Sequence, residues 1–328
     1  MKDCPPLKVL NPPTNRCVSI NGKIGKQILK KKYNINISNE HNSCYIDSLM
    51  VALFHFKNRV IYNTFFRNIL ESRYASKIQT EMHKIYNYIN KNEDIQNKNC
   101  FFIRKYLDKY YNELVKDNVN NRIFFDNSNN SDNWLTEQID VFELITFLDK
   151  IFNFKTNVKV KDGTNKYIKN MIFEISSYYL MGVDTLDISS LIPTRIDKYE
   201  LDANNYYRNS NGKLVKFYEK TYEITKTNGV LIIELYRNSG REEGKLNTKI
   251  IYPNTINIKG DKKELKLRSI ILHKGLTIHS GHYTTIIKKD RKTYEYDDIR
   301  STDNKLVEID ENYERKMRRN VVALIYSR

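Results

Sequence analysis

A switch of hydrophobic period divides this chain and narrows the folds open to it. Between residues 45 and 56 the apolar positions Tyr45, Leu49, Leu53 and Phe56, with Ile46, Met50 and Phe54 beside them, recur at helical spacing. Further helical patterns with polar breaks fill residues 61–117, and residues 134–152 read as another amphipathic helix. The back half differs: 229–237, 249–253, 265–271, 283–288, 293–296 and 321–326 are short runs of β type. A mainly helical front and a sheet-rich back predict an α+β fold. The Asn-, Asp- and Ser-rich stretches 117–133 and 204–212 read as surface loops, and the sequence carries no internal repeat.

One main domain with a small appendage fits these 328 residues, whose 40% hydrophobic content and 24 tyrosines allow a sizeable core. The appendage is residues 1–30, which hold four of the six prolines together with Cys4 and Cys17. Prolines and an Asn-Pro step predict a compact loop followed by a short basic helix, with the two cysteines either bridging the loop or staying reduced. Two thiols do not complete a structural zinc site. The formal charge of +16, from 55 Lys and Arg against 39 Asp and Glu, is spread along the chain and is densest in residues 1–37. No nucleic-acid-binding signature accompanies it, so it reads as a solvated basic face with no obligate nucleic-acid partner. With four cysteines, no charged-then-apolar leader and no apolar run of ~18 residues, the expected protein is soluble, free of the membrane and at work in a reducing compartment. A catalytic thiol stays free there.

Such a thiol stands at the start of the first apolar helix. An unperturbed cysteine, with a pKa of ~8.5, is mostly protonated at neutral pH, and a helix N-terminus and a nearby imidazole both favour the thiolate. Cys44 has the first by position, since the amides of residues 44–46 lack intrahelical acceptors. His282, between Gly281 and Tyr283 before a strand, is placed to supply the second, as base toward the thiol and acid toward a leaving amine. His41, His273 and His279 compete for that role. Fifteen residues after His282 come Asp297 and Asp298. One strand running out and the next running back would set an aspartate beside the imidazole, where it selects the tautomer and stabilises the imidazolium. Asn39, five residues before Cys44, offers a side-chain amide to an oxyanion beside the Cys44 backbone amide, with Asn42 as the alternative. Thiol, imidazole and acid in this order read as a cysteine peptidase.

Together these residues resemble the ubiquitin-specific proteases. Asn39, Asn42, Cys44, Tyr45 and Ser48, followed by Leu53 and Phe54, are similar to that family's cysteine box, and Gly281, His282 and Tyr283 with Tyr296, Asp297 and Asp298 to its histidine box. Between them, Gln138, Asp140 and Glu143 resemble its glutamine-aspartate-glutamate helix, residues 231–237 its central strand and residues 321–326 its last strand. The resemblance spans residues 35–328 and implies a papain-like peptidase with a helical thumb and a β-rich palm. It implies Cys44 as nucleophile, His282 as base, Asp297 as orienting acid with Asp298 assisting or replacing it, and Asn39 as oxyanion donor. Asp140 and Glu143 would receive the basic C-terminal tail of ubiquitin, and Gly281 and Tyr283 would line a narrow passage to the thiol. Ubiquitin or its conjugates are then the partners, and no cofactor is required. Two positions depart from the pattern: His41 replaces a glycine and Asp47 an asparagine. The family's zinc-binding fingers need four cysteines that this chain lacks between Phe152 and Gly229, which implies reduced, metal-free fingers.

Residues 1–30 resemble the two-cysteine adaptor module found beside enzymatic domains in proteins of large DNA viruses. This implies a viral origin, attachment to an unknown partner, and residence in the host cytoplasm, a viral factory or the virion. The expected activity is that of a deubiquitinating thiol isopeptidase, cleaving after the C-terminal glycine of ubiquitin through an acyl-enzyme on Cys44. Two rival readings are a catalytically weak ubiquitin-like-protein binder or virion scaffold, and a viral cysteine peptidase that processes another substrate. Motif order weighs against the main peptidase rivals. Viral enzymes of the SUMO-protease type place histidine and aspartate before cysteine, and ovarian-tumour enzymes carry an aspartate three residues before it, where this chain has His41.

Overall fold

The computed structural model of the chain describes residues 5, 8–11, 14, 16–19, 21–25, 35–91, 99–117, 135, 139–153, 156–161, 167–169, 172–200, 207–208, 212, 214–215, 217–238, 244–277, 280–289, 291–301 and 305–328. Near the N-terminus β1 (Lys8–Asn11) and β2 (Arg16–Ser19) pair as an antiparallel hairpin, where the sequence predicted a loop. Cys17 is disulfide-bonded, and Cys4 lies outside the described residues. Helices follow: α1 (Cys44–Phe54), α2 (Arg59–Phe66), α3 (Arg73–Lys91), α4 (Phe101–Asp117) and α5 (Val141–Phe152). The helix expected over residues 134–152 therefore starts later. Leu135 sits in a turn and Asp140 caps α5, its carboxylate accepting from the Phe142 amide at 2.8 Å, while Trp134 and Gln138 lie outside the described residues.

The back half is sheet. Its strands are β3 (Thr156–Lys161), β4 (Tyr167–Lys169), β5 (Ile172–Ile175), β6 (Thr185–Asp187), β7 (Thr194–Glu200), β8 (Tyr207–Arg208), β9 (Leu214–Val215), β10 (Phe217–Thr227), β11 (Val230–Leu235), β12 (Lys249–Ile251), β13 (Thr255–Ile256), β14 (Leu265–Lys274), β15 (His282–Lys289), β16 (Lys292–Tyr296), β17 (Leu306–Ile309) and β18 (Val321–Ser327), with α6 (Glu311–Met317) before the last. Among the described residues, eight strands make the main sheet in the order β17-β16-β15-β14-β18-β11-β5, with β13 beside β14. It is antiparallel except where β5 joins β11. A separate sheet, β4-β3-β10-β7, occupies the stretch between α5 and β11. From the predicted loop at residues 204–212, β8 pairs with β9 just beyond it; the loop expected over residues 117–133 lies, but for Asp117, outside the described residues.

Alternating side chains of β14, β15 and β18 feed two cores. Ile271, Ile287 and Ala323 face the helices, whereas Leu272, Ile286 and Leu324 face the packing around Leu180 and Ile188. Helix α1 lies inside the first core with all eleven of its residues buried. Each large apolar side chain fully buried there contributes about 1.5–3 kcal/mol. A helix apolar on every side needs cover on every side, and the sheet, α3 and α5 supply it. Side chains around it also donate to its carbonyls: Thr285 Oγ1 to Ser48 O at 2.8 Å, Ser269 Oγ to Ala52 O at 2.8 Å and Asn90 Nδ2 to Phe54 O at 2.7 Å. The Thr285 bond fixes α1 directly on the strand that begins with His282. No helix among the described residues is long and apolar enough to cross a membrane.

Candidate active site

The loop before α1 is held in an uncommon shape. His41 and Asn42 both have left-handed backbones, with φ of 48° and 61°, and neither is a glycine. Arg104, reaching from α4 and fully buried, fixes that bend: Nη1 donates to Glu40 O at 2.6 Å and Nη2 to His41 O at 2.7 Å. Ser43 Oγ accepts from the Glu40 amide at 2.9 Å, and the Ser43 carbonyl accepts from the amides of Ile46 and Asp47, each at 3.0 Å. The Ile46 amide is thus engaged, contrary to the sequence expectation. Cys44, the first residue of α1, is 3% exposed and is a free thiol, as is Cys100.

His282 opens β15 and Asp297 directly follows β16, so the hairpin predicted from the sequence brings imidazole and acid together. His282 Nε2 donates to Asp297 Oδ1 at 2.8 Å and stands 3.5 Å from Asp298 Oδ1, while the same ring hydrogen-bonds the Cys44 thiol. Burial alone would lower the imidazole. The bonds to Asp297 and Cys44 and the charge of Asp298 outweigh it and raise His282 to about 10. Burial likewise works to raise Asp297, but the His282 hydrogen bond and charge hold it below the usual carboxylate range. Asp298 is 2% exposed, and its burial raises it despite the Asn39 bond and the His282 charge. Tyr296 Oη donates to Ile37 O at 3.0 Å and the Lys305 amide to Ile35 O at 3.1 Å, which ties this corner to the segment before Cys44, and the Asp297 amide donates to Lys305 O at 3.0 Å.

Asn39 has a partner that the sequence did not indicate. Its Nδ2 donates to Asp298 Oδ2 at 2.8 Å, which commits one amide hydrogen to the acid and leaves the second for an oxyanion. Asn42 is exposed at the bend. Of the rival histidines, His41 is exposed, His279 lies outside the described residues, and His273 is buried beside the Tyr283 ring with centroids 4.6 Å apart. Burial, then the charges of Lys245 and His282, push His273 down to about 4, so it is neutral at pH 7. Gly281 presses on it: a β-carbon there would lie 2.6 Å from His273 Nε2 and 2.8 Å from Lys274 O. Tyr283 is 3% exposed, its ring packed on His273. Asp140 is exposed at the α5 cap and Glu143 is half-buried in its first turn.

Four residues escape a reading by motif. Arg104 and Asp47 are charged residues on apolar stripes, Arg104 between Cys100 and Leu107, Asp47 between Ile46 and Leu49, and that misplacement is the signal. Lys245 Nζ donates to His273 O at 2.5 Å and Gly275 O at 3.0 Å, bracing the loop before His282. Glu234 sits opposite Glu174 on β11 and β5, and burial, then the charges of Glu174 and Asp140, raise it well above its usual range.

Residues 35–326 match the ubiquitin carboxyl-terminal hydrolase family. Among curated proteins, ubiquitin carboxyl-terminal hydrolase 17-like protein B of Mus musculus is 32% identical over 111 residues, 31% of this chain and 24% of that protein. Ubiquitin carboxyl-terminal hydrolase 16 of Arabidopsis thaliana is 31% identical over 149 residues, 43% of this chain and 14% of that protein. The chain thus spans less than a quarter of either relative's length. Among solved structures, a chain of the SAGA Ubp8 DUB module bound to monoubiquitin superposes with a TM-score of 0.59 at 14% identity, covering 96% of this chain and 77% of that one. The same module bound to ubiquitin aldehyde gives 0.57 at 15% identity, covering 98% and 80%. The likeness extends over nearly the whole chain and establishes the papain-like peptidase fold. With a thiol, an imidazole and two carboxylates converging where α1 meets the main sheet, and with residues 35–326 matched, this chain belongs to the ubiquitin carboxyl-terminal hydrolase family.

Proposed function

We propose that the chain is a deubiquitinating thiol isopeptidase. The observation that carries this reading is the hydrogen-bonded line Cys44, His282, Asp297, drawn from opposite ends of a chain that matches the family over residues 35–326. His282, raised to about 10 and so an imidazolium at neutral pH, holds the proton the thiol has given up, and Cys44 attacks the carbonyl of ubiquitin's C-terminal glycine. The Cys44 amide and the second hydrogen of Asn39 receive the oxyanion. His282 then protonates the departing lysine amine, and water, activated by the same imidazole, releases the acyl group. Asp297 keeps the ring in the right tautomer, with Asp298 behind it. Asp140 and Glu143, joined by Glu174, favour a basic tail, and the tight turn at Gly281 favours one ending in glycines. No cofactor takes part.

The test is incubation with ubiquitin bearing a thiol-reactive C-terminal warhead, read by intact mass. One ubiquitin adduct, lost on Cys44→Ala, is expected; no adduct would shift the reading to another ubiquitin-like modifier, a viral protein substrate or a binding role. The two acids are separable. Asp297→Ala is expected to lower kcat/KM by on the order of 10²–10³, and the double change with Asp298→Ala by about 10⁴. A larger loss from Asp298→Ala alone would make Asp298 the orienting acid.

Residues 1–30 form an adaptor that attaches the 35–328 peptidase domain to a partner in a virus-infected cell, in the cytoplasm, the viral factory or the virion. Its resemblance to the two-cysteine module supports this. A 35–328 protein that keeps full kcat/KM but loses its site of accumulation is the expected result. The absence of cysteine between Phe152 and Gly229 supports fingers that hold no zinc. Stoichiometric zinc in the purified protein, by elemental analysis, would contradict that.

A further inference from the structure

Helix α1 buries a carboxyl that no cation pairs with among the described residues. Asp47 is 0% exposed. Its Oδ2 accepts from Ser43 Oγ at 2.5 Å, and the Cys100 thiol at the start of α4 also bonds to it. The Asp298 carboxyl lies in hydrogen-bonding contact with it. Two oxygens remain, Asp47 Oδ1 and Asp298 Oδ1, both buried and without a hydrogen-bond donor apart from the 3.5 Å approach of His282 to Asp298. Two touching carboxylates do not both ionise in a dry interior, and a single proton between them satisfies both orphaned oxygens.

We infer that Asp47 is a neutral carboxylic acid that shares its proton with Asp298, and is thereby the positioning residue for the acid flanking His282. The proton belongs on the Asp47 side. Asp298 accepts from Asn39 and faces His282, both of which stabilise its anion, whereas Asp47 has only a hydroxyl and a thiol. A donor at position 47 holds Asp298 in line, and Asp298 in turn holds Asn39. Burial, followed by the Asp298 charge, raises Asp47 well above the usual carboxylate range. Of the other titratable groups, Cys100 from α4, Tyr45 from α1 and Tyr296 from the end of β16 act on it directly, while Arg104 from α4 stands beside Tyr45 and Cys100, and His282 from β15 and Asp297 after β16 stand beside Asp298.

The consequence for stability has a definite sign. Unfolded, Asp47 ionises near ~3.9. Folded, it keeps its proton, so its contribution is fully present below that value and is lost progressively as pH rises from there toward the raised folded value. An asparagine in its place would donate the same hydrogen bond and never ionise. The melting temperature of Asp47→Asn is therefore expected to match wild type near pH 4 and to exceed it by a margin that still grows through pH 7. A margin that stops growing below pH 7 overturns the inference, because the proton would already have left. This series needs no substrate, so it stands apart from the peptidase reading on which the positioning role rests. For that role, Asp47→Leu, close in size but without a donor, is expected to lower kcat by on the order of tenfold at unchanged KM, with the asparagine variant restoring it. Equal losses in the leucine and asparagine variants would overturn it.

Discussion

Cys44→Ala is expected to lower kcat on a fluorogenic ubiquitin amide by on the order of 10⁵–10⁶ while the protein stays folded and still binds ubiquitin. Among the described residues no other thiol replaces it. Cys17 is in a disulfide, and Cys100 is fully buried, which pushes its thiol well up, so it is not available as a thiolate. What survives is the activity of the oxyanion donors acting on water alone. Alanine suits a helix, and removing one sulfur changes stability by about 1 kcal/mol or less. Turnover measured beside calorimetric ubiquitin binding checks both halves; a variant that hydrolyses at the wild-type rate would end the claim that Cys44 is the nucleophile.

The second large effect is structural. Arg104→Met fills most of the same space with no charge, and leaves the Glu40 and His41 carbonyls without their two guanidinium bonds. Charge-assisted bonds of this kind contribute about 1.5–3 kcal/mol each, so a loss of about 3 kcal/mol or more is expected in denaturant unfolding. The bend at His41 and Asn42 carries its own strain and relaxes once unpinned. Because Asn39 and the Cys44 amide lie at the ends of that bend, kcat should fall by on the order of 10²-fold with KM less affected. Arg104→Lys keeps the charge but not the fork, and should fall between the two. A methionine variant of wild-type stability and kcat would show that the loop holds its shape unaided.

The sequence made the thiol and its imidazole legible because both lie at junctions of regular elements, where period and turn residues mark position. Cys44 begins a helix at the residue the apolar pattern indicates, and His282 begins the strand that pairs with the one before Asp297. Distant partners were less visible. Arg104 acts on residues 64 and 63 positions away, and a helical pattern says only that its side chain is out of place on an apolar face. Asn39 shows the same limit: its distance from Cys44 suited an oxyanion donor, but its tie to Asp298, 259 positions on, appears only when the sheet closes. The early start assigned to α5 has a local cause. Apolar period extended the helix back to Trp134, whereas Asp140 followed three residues later by Glu143 is a start signal that outranks it.

Burial of α1 on all sides has a consequence for how the site would emerge from saturation mutagenesis. Every position from Cys44 to Phe54 packs against something, so a library scored for cellular abundance should show ten consecutive intolerant positions from Tyr45 to Phe54 with no hint of where the chemistry lies. Scored for turnover, the same library should look nearly identical along this helix. The two maps should part at Cys44, where small residues keep the protein abundant and silence it.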